Sequence, residues 1–166
     1  MRIHLLLFTL ALAACTTAPV PPAHAAATVA DSSNASTWPA TLARYHWQLH
    51  DAVDSHGQRL DALFGLPDRP LQLDFADGRV RVRNACNNMG GSFLIVEDHL
   101  VVASMMHTMM ACHDQTLMQR ETTISNLLQS RPTLILSTIG NAPSLTLASD
   151  DGHTLTFTGN PVTETH

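Results

Sequence analysis

From Tyr45 onward, apolar and polar side chains alternate with a period of two, and this alternation restricts the possible fold more than any other feature. Trp47 and Leu49 share one face of an expected strand, and Leu71, Leu73 and Phe75 share one face of another. Val80 and Val82 alternate with Arg79, Arg81 and Arg83, while Phe93 goes with Ile95, Leu145 with Leu147, and Leu155 with Phe157. Successive side chains of a strand point to opposite faces, so each segment offers one apolar stripe to a core and one polar stripe to water. That is the signature of antiparallel sheets with one wet face. Asp77-Gly78 and Asp151-Gly152 each separate two such segments, and Asp-Gly is a strong hairpin signal because both residues tolerate positive φ. The segment Pro70-Leu71-Gln72-Leu73 before the first turn resembles Pro143-Ser144-Leu145-Thr146-Leu147 before the second, a hint of a weak internal repeat.

One segment departs from the alternation. Thr116 to Gln129 sets Leu117, Glu121, Ile124 and Leu128 at helical spacing, with Pro132 just past the end. Thr116 and Gln119 have the spacing of a capping box. The expected fold class is therefore mainly β (α+β): a small antiparallel β-barrel-like sheet capped by one α-helix. Such closure buries every apolar stripe and leaves few strand edges.

With 166 residues the chain has room for one domain plus appendages. Its formal net charge of −5 excludes a nucleic-acid binder that works through a broad basic surface. All nine basic residues are Arg, which excludes lysine Schiff-base chemistry. Aromatic residues, at 5%, are too few for an aromatic cage or a stacking platform.

The amino-terminal end reads as an address. Arg2 precedes an apolar run from Ile3 to Ala14, of signal-peptide length and too short to span a bilayer. The run ends in Leu12-Ala13-Ala14-Cys15, which resembles the bacterial lipobox: small side chains fit the peptidase, and the Cys15 sulfur receives diacylglycerol. Two or three acyl chains suffice for stable anchoring. Residues 1–14 are then a signal peptide, 15–41 a lipid-anchored flexible tether, 42–160 the folded domain and 161–166 a tail. Thr16 to about Thr41 is rich in Ala, Thr, Ser and Pro, a composition that buries too little surface to offset ordering entropy. Thr16 rather than Asp after the lipobox points to the outer membrane, facing the periplasm. The alternative is a soluble periplasmic protein cleaved after Ala23-His24-Ala25.

Within the domain, Asn84-Ala85-Cys86-Asn87-Asn88-Met89-Gly90-Gly91-Ser92-Phe93 is similar to the Gly-Cys-Asn-x-x-x-Gly-x-Tyr signature of the META domain, found in HslJ-like heat-shock lipoproteins. Trp47-Gln48-Leu49, Thr108-Met109-Met110-Ala111-Cys112, Glu121 and Gly152-x-x-Leu155-x-Phe157 match further family motifs in order and spacing. The resemblance marks Trp47, Cys86, Asn87, Gly90, Thr108, Met110, Cys112 and Glu121 as family positions. It implies a small β-barrel-like fold and an association with heat-shock and antibiotic stress, without a defined reaction. Ala85 stands where the family has Gly, so a turn that needed positive φ there would differ. Phe93 stands where the family has Tyr and lacks its hydroxyl.

With Cys15 acylated, Cys86 and Cys112 are the remaining thiols in an oxidising compartment, and a structural disulfide is the default. A redox-active pair is the alternative, without C-x-x-C spacing to support it. The run Met105-Met106-His107-Thr108-Met109-Met110-Ala111-Cys112-His113 holds soft ligands. If extended, it sets Met105, His107, Met109 and His113 on one face, as a copper site requires. The competing expectation is that Met109 and Met110 fill the core. Arg79, Arg81 and Arg83 offer a face for an anionic partner, against an expectation that they pair with acids such as Glu97 or Asp98. Glu121 is placed to accept hydrogen bonds from the Asn87-Asn88 loop. The ten His are scattered, and no nucleophile elbow or phosphate loop is present in the sequence.

The expected function is thus a non-catalytic cell-envelope lipoprotein with a binding or support role under stress, without cofactor. Its partners are the membrane, through the anchor, and an unidentified envelope protein or small ligand, with no nucleic acid. The alternatives are a periplasmic small-ligand or copper-binding module and a lipid-anchored inhibitor of an envelope hydrolase.

Overall fold

A computed structural model describes residues 32–163, with side chains from Thr37. The lipobox, Cys15 and the alternative cleavage site lie outside the described residues. The chain runs α1 (Ser32–Ala43), β1 (Tyr45–Val53), a 3₁₀ turn (Asp61–Phe64), β2 (Gln72–Ala76), β3 (Arg79–Arg83), β4 (Met89–Val96), β5 (His99–Val102) and β6 (Met106–His107). It continues with α2 (Gln115–Gln129), β7 (Thr133–Ile139), β8 (Ala142–Ala148) and β9 (Thr154–Pro161).

The strands pair antiparallel in the order β3-β2-β1-β9-β8-β7-β5-β4-β6, and a further pairing of β3 with β4 closes the sheet into a ring. The mainly β fold with a barrel-like sheet is therefore the one the alternation implies. Trp47, Leu49, Leu71, Leu73, Phe75, Val80, Val82, Phe93, Leu145, Leu147, Leu155 and Phe157 all turn into the core, and Ile95 packs partly buried against it. Phe75 and Phe93 meet edge to face with centroids 5.2 Å apart.

Closure is uneven. β1 and β9 share eight paired positions and β7 and β8 share seven, whereas β5 and β7 share only His99 with Thr133. Two backbone bonds add to that seam, Leu100 N to the Pro132 carbonyl at 2.9 Å and Leu134 N to the Asp98 carbonyl at 2.6 Å. β5 and β6 run along the same side of β4, with the register slipping by one residue between Phe93–Val102 and Gly90–Met106. The slip has the character of a β-bulge. Gly91 accommodates it, since a side chain there would collide with the Ser104 carbonyl.

α2 packs against β5 and the 3₁₀ turn and buries Ile124, Leu127 and Leu128. Its cap differs from the expected capping box. Asp114, not Thr116, is the N-cap, its Oδ1 accepting from Thr116 N at 2.8 Å. An Asp one residue before the helix satisfies an orphan amide without Gln119.

A second helix corrects the expected boundary of the tether. α1 occupies residues assigned to the flexible segment and packs against β1, β2 and β4. Trp38 lies partly buried on the core, Leu42 is wholly buried, and the Leu42 carbonyl accepts from Trp47 Nε1 at 2.9 Å. The composition of 16–41 hid this because one Trp among small polar residues is enough to anchor a short helix to a preformed surface.

The two Asp-Gly turns also differ from each other. Asp77 (φ 50°) and Gly78 (φ 68°) form the two-residue turn that joins β2 to β3. Between β8 and β9 the loop is longer, spanning 149–153, and only Gly152 (φ 90°) is left-handed. The Ser149 hydroxyl donates to the Asp151 carboxylate, which also lies 2.8 Å from His153 Nδ1. These bonds, from Ser149 first and then His153, lower the Asp151 carboxyl from 3.8 to about 2. The weak repeat is thus confined to two hairpins with unlike turns. The β7–β8 connection uses Gly140 (φ 61°) and Asn141, a turn the alternation did not mark.

Two predictions follow from this architecture. A carboxyl whose folded pKa is depressed contributes stability that is complete above its unfolded value near 3.8 and disappears as pH falls towards 2. Asp151→Asn removes that contribution, so its unfolding midpoint should depend less steeply on pH between 4 and 2 than the wild type's. Ile124 is fully buried, and Ile124→Ala should cost about 2–5 kcal/mol in urea denaturation. Leu94 is 69% exposed, and Leu94→Ala should stay within about 0.5 kcal/mol of wild type; equal losses would contradict the described burial.

Candidate functional site

The loop between β3 and β4 and the loop from β6 to α2 face each other at the end of the bulged strand, and α2 passes beside both. The Cys86–Cys112 disulfide joins the two loops, with Cα atoms 6.1 Å apart. Asn87 lies at the centre. Its backbone N and its Nδ2 both donate to Glu121 Oε2, each at 3.0 Å. Its Oδ1 accepts from the Thr108 hydroxyl and from Met110 N, each at 2.8 Å. Thr108 Oγ1 accepts in turn from Asn88 N at 3.2 Å, and Thr108 N donates to the Asn88 carbonyl at 3.1 Å. One amide side chain therefore ties the helix to both loops.

Glu121 reaches this position because helical spacing sets it on the same side of α2 as Ile124 and Leu128, with 14% of its side chain exposed. Its second oxygen, Oε1, lies 3.4 Å from His107 Nδ1 on β6. Among the eight family positions, Cys86, Asn87, Thr108, Met110, Cys112 and Glu121 converge on this clasp. Trp47 does not; it is a core residue. Gly90 lies on β4 between Arg81 and Met106, where a Cβ would come within 2.8 Å of the Val80 carbonyl.

The left-handed residue of the β3–β4 loop is Asn84 (φ 64°), not Ala85. Asn tolerates that region, and Asn84 Nδ2 donates to the Pro70 carbonyl at 2.8 Å. Ala85 therefore replaces the family Gly without needing its conformation. From beneath, the wholly buried Arg120 donates through Nη1 to the Asn84 carbonyl at 2.8 Å and the Arg69 carbonyl at 3.2 Å. Its Nε and Nη2 have no partner among the described residues. Burial, and then the charge of Arg69, lower its pKa, with Asp114 opposing. Arg120 matches no motif, and its only sequence signal is helical spacing, which sets it on the buried face of α2 with Ile124, Leu127 and Leu128.

The methionine run departs from both expectations. Met109 is 96% exposed and Met110 62% exposed, so neither fills the core. The chain here is not an extended strand: only Met106–His107 pairs with β4, and 108–114 is loop drawn towards Asn87 and Cys86. Met105 packs against the core, His107 turns to Glu121, and Met109 and His113 are exposed. The common face proposed for copper ligands does not form.

The arginine stripe also differs. Arg83 Nε pairs with Asp74 Oδ2 at 3.0 Å, not with Glu97 or Asp98, and Asp98 pairs with the adjacent His99 at 2.8 Å. Register explains this, because β3 lies between β2 and β4, far from the β4–β5 turn. Asp74 also meets His46 Nδ1 and Gln72 Nε2, each at 2.8 Å. Partial burial raises the Asp74 pKa, and the bonds from His46, Arg83 and Gln72 outweigh it to give a net lowering. The Arg79 and Arg81 side chains make no ion pair or hydrogen bond among the described residues, although Arg81 stands opposite Asp74 in the β2–β3 register.

The META domain family model matches residues 40–161, the whole of the closed sheet and its clasp. The chain belongs to the META domain family. A solved NMR structure of a protein from Burkholderia xenovorans is 20% identical, covers 89% of this chain and 95% of its own, and superposes with a TM-score of 0.63. A second NMR structure is 22% identical over 72% of this chain and 92% of its own, with a TM-score of 0.51. These likenesses establish the fold. No curated protein matches the chain.

The clasp predicts a specific loss. Glu121→Ala removes the acceptor of two Asn87 donors and should destabilise the domain by about 2–3 kcal/mol in urea unfolding. Glu121→Gln keeps an acceptor oxygen and should recover at least half. A Glu121→Ala variant within about 0.5 kcal/mol of wild type would show that the bonds carry no net stability.

Proposed function

We propose that this META domain protein is a non-catalytic envelope lipoprotein, held to the outer membrane by acylated Cys15 and facing the periplasm, where it binds or supports another envelope component under stress. The observation that carries the non-catalytic part is how the family side chains are used. Glu121 accepts from Asn87, and Asn87 accepts from Thr108 and Met110. These groups serve as mutual partners that fix two loops, and a catalytic acid or base would have to leave them to act. The cysteines are joined to each other, which suits a staple in an oxidising compartment. A rigid loop pair on the rim of a closed sheet suits recognition of a partner.

The address rests on Leu12-Ala13-Ala14-Cys15 at the end of the apolar run. Intact-mass analysis of the protein extracted from membranes tests it. A chain beginning at Cys15 with the added mass of acyl chains is expected. A chain beginning at Ala26 without lipid would reject the anchor and leave a soluble periplasmic protein.

A further inference from the structure

We propose that the groove between β3 and β6 binds the phosphoryl headgroup of an anionic amphiphile. The groove holds about 370 Å³ and is lined by Arg79, Arg81, Asn88, Gly90, Met106 and His107 among others. Register builds it. Arg81 pairs with Gly90 and Gly90 with Met106, so one row across the sheet reads guanidinium, bare backbone, thioether. Adjacent strands lie about 4.8 Å apart, which sets the backbones of β3 and β6 roughly 10 Å apart across a glycine floor.

The donors facing this space are unspent. Arg79 and Arg81 have no ion pair among the described residues, although Arg83 on the same stripe is paired with Asp74. The Asn88 side-chain amide has no hydrogen-bond partner among the described residues either. No carboxylate lines the groove; Glu121 reaches His107 from the helix side and is engaged by Asn87. Arg81 faces Asp74 across the β2–β3 ladder, but that carboxylate is engaged by Arg83, His46 and Gln72, so on a chain of net charge −5 both guanidiniums keep their donors free for an anion. Guanidinium groups present paired N–H donors that match phosphate oxygens.

The apolar side of the groove selects the source of the phosphate. Met106 is 60% exposed, and the outward stripe of β4 continues from Gly90 through Ser92 to Leu94 at 69% and Val96 at 47%. Exposed large apolar side chains in a contiguous row mark a contact surface. A headgroup on Arg79 and Arg81 leaves an acyl or other apolar portion to lie along Leu94 and Val96. A free phosphate would use the arginines and leave this row bare. The inference stands on the groove alone and is independent of the anchor at Cys15.

The experiment uses the full chain carrying Cys15→Ser, which blocks acylation, titrated with dihexanoyl-phosphatidylglycerol, dihexanoyl-phosphatidylcholine and inorganic phosphate as monomers in solution. The phosphatidylglycerol should bind more tightly than either of the others. Arg79→Gln with Arg81→Gln should weaken it about tenfold or more, the loss of at least one charge-assisted bond. Arg81→Lys, which keeps the charge but not the fork, should fall between wild type and Arg81→Gln. Arg44→Gln with Arg131→Gln, the same charge change away from the groove, should leave affinity within twofold. Circular dichroism and the unfolding midpoint establish that each variant is folded. Equal binding of phosphatidylcholine, equal binding of inorganic phosphate, or an equal loss in the Arg44/Arg131 variant would each overturn the proposal.

Discussion

The structure depends on closing a nine-stranded antiparallel sheet whose last seam is nearly absent. Between β5 and β7 one paired position and two flanking backbone bonds complete the ring. An open edge there would expose both unpaired amides and the apolar interior. α2, inserted in the chain between β6 and β7, packs on β5 and supplies Ile124, Leu127 and Leu128 to the core. Hydrophobic burial by a helix thus replaces the ladder bonds that the seam lacks. The sheet needs the helix, and the helix, with few apolar residues outside that face, needs the sheet.

The same helix organises the polar end of the molecule. Because Ile124 and Leu128 fix its rotation, Glu121 is presented to Asn87 and Arg120 to the Asn84 carbonyl. The two loops then have little freedom, and the Cys86–Cys112 bond restrains the same pair covalently. In the chain-entropy description such a cross-link raises stability by roughly 3–4 kcal/mol, chiefly through the unfolded state. Hydrogen bonds and disulfide therefore act on different states of the chain: the first hold the folded geometry, the second restricts the alternatives.

Outside the ring, polarity is distributed unevenly. Near β1 and β2 the outer face is self-compensated, with Asp74 meeting His46, Gln72 and Arg83 in one network. One strand further, over Gly90, Arg79 and Arg81 stand beside exposed Met106 and Leu94. Here the one facing acid, Asp74 opposite Arg81, is taken by other partners, and large apolar groups are exposed beside the free guanidiniums, which is why the proposed headgroup site falls in this sector. It adjoins the clasp through His107, Asn88 and Thr108, which tie the rigid loops to the groove's wall.

Local pattern alone marked β1 to β4, β8 and β9, their inward stripes and the position of α2, because a period of two or of 3.6 is written in neighbouring residues; β5, β6 and β7 carry no such signal and are set by their partners in the ring. Trp47, Leu73, Val82, Leu145 and Phe157 had to be inside whatever the topology. The tight turn at Asp77-Gly78 is legible for the same reason, and the family motifs mark Asn87 and Glu121, whose expected hydrogen bond the structure contains. Tertiary structure decided what distance along the chain conceals. Met109 and Met110 look like core by composition, yet the pull of Asn87 and Cys112 on their backbone turns them to water. Trp38 looks like part of a tether, yet a surface built by strands far along the chain receives it. Register sets Asp74 opposite Arg81, yet the side chains decide otherwise: Asp74 reaches diagonally to Arg83 and to His46 and Gln72, a choice that no residue pattern along the chain shows.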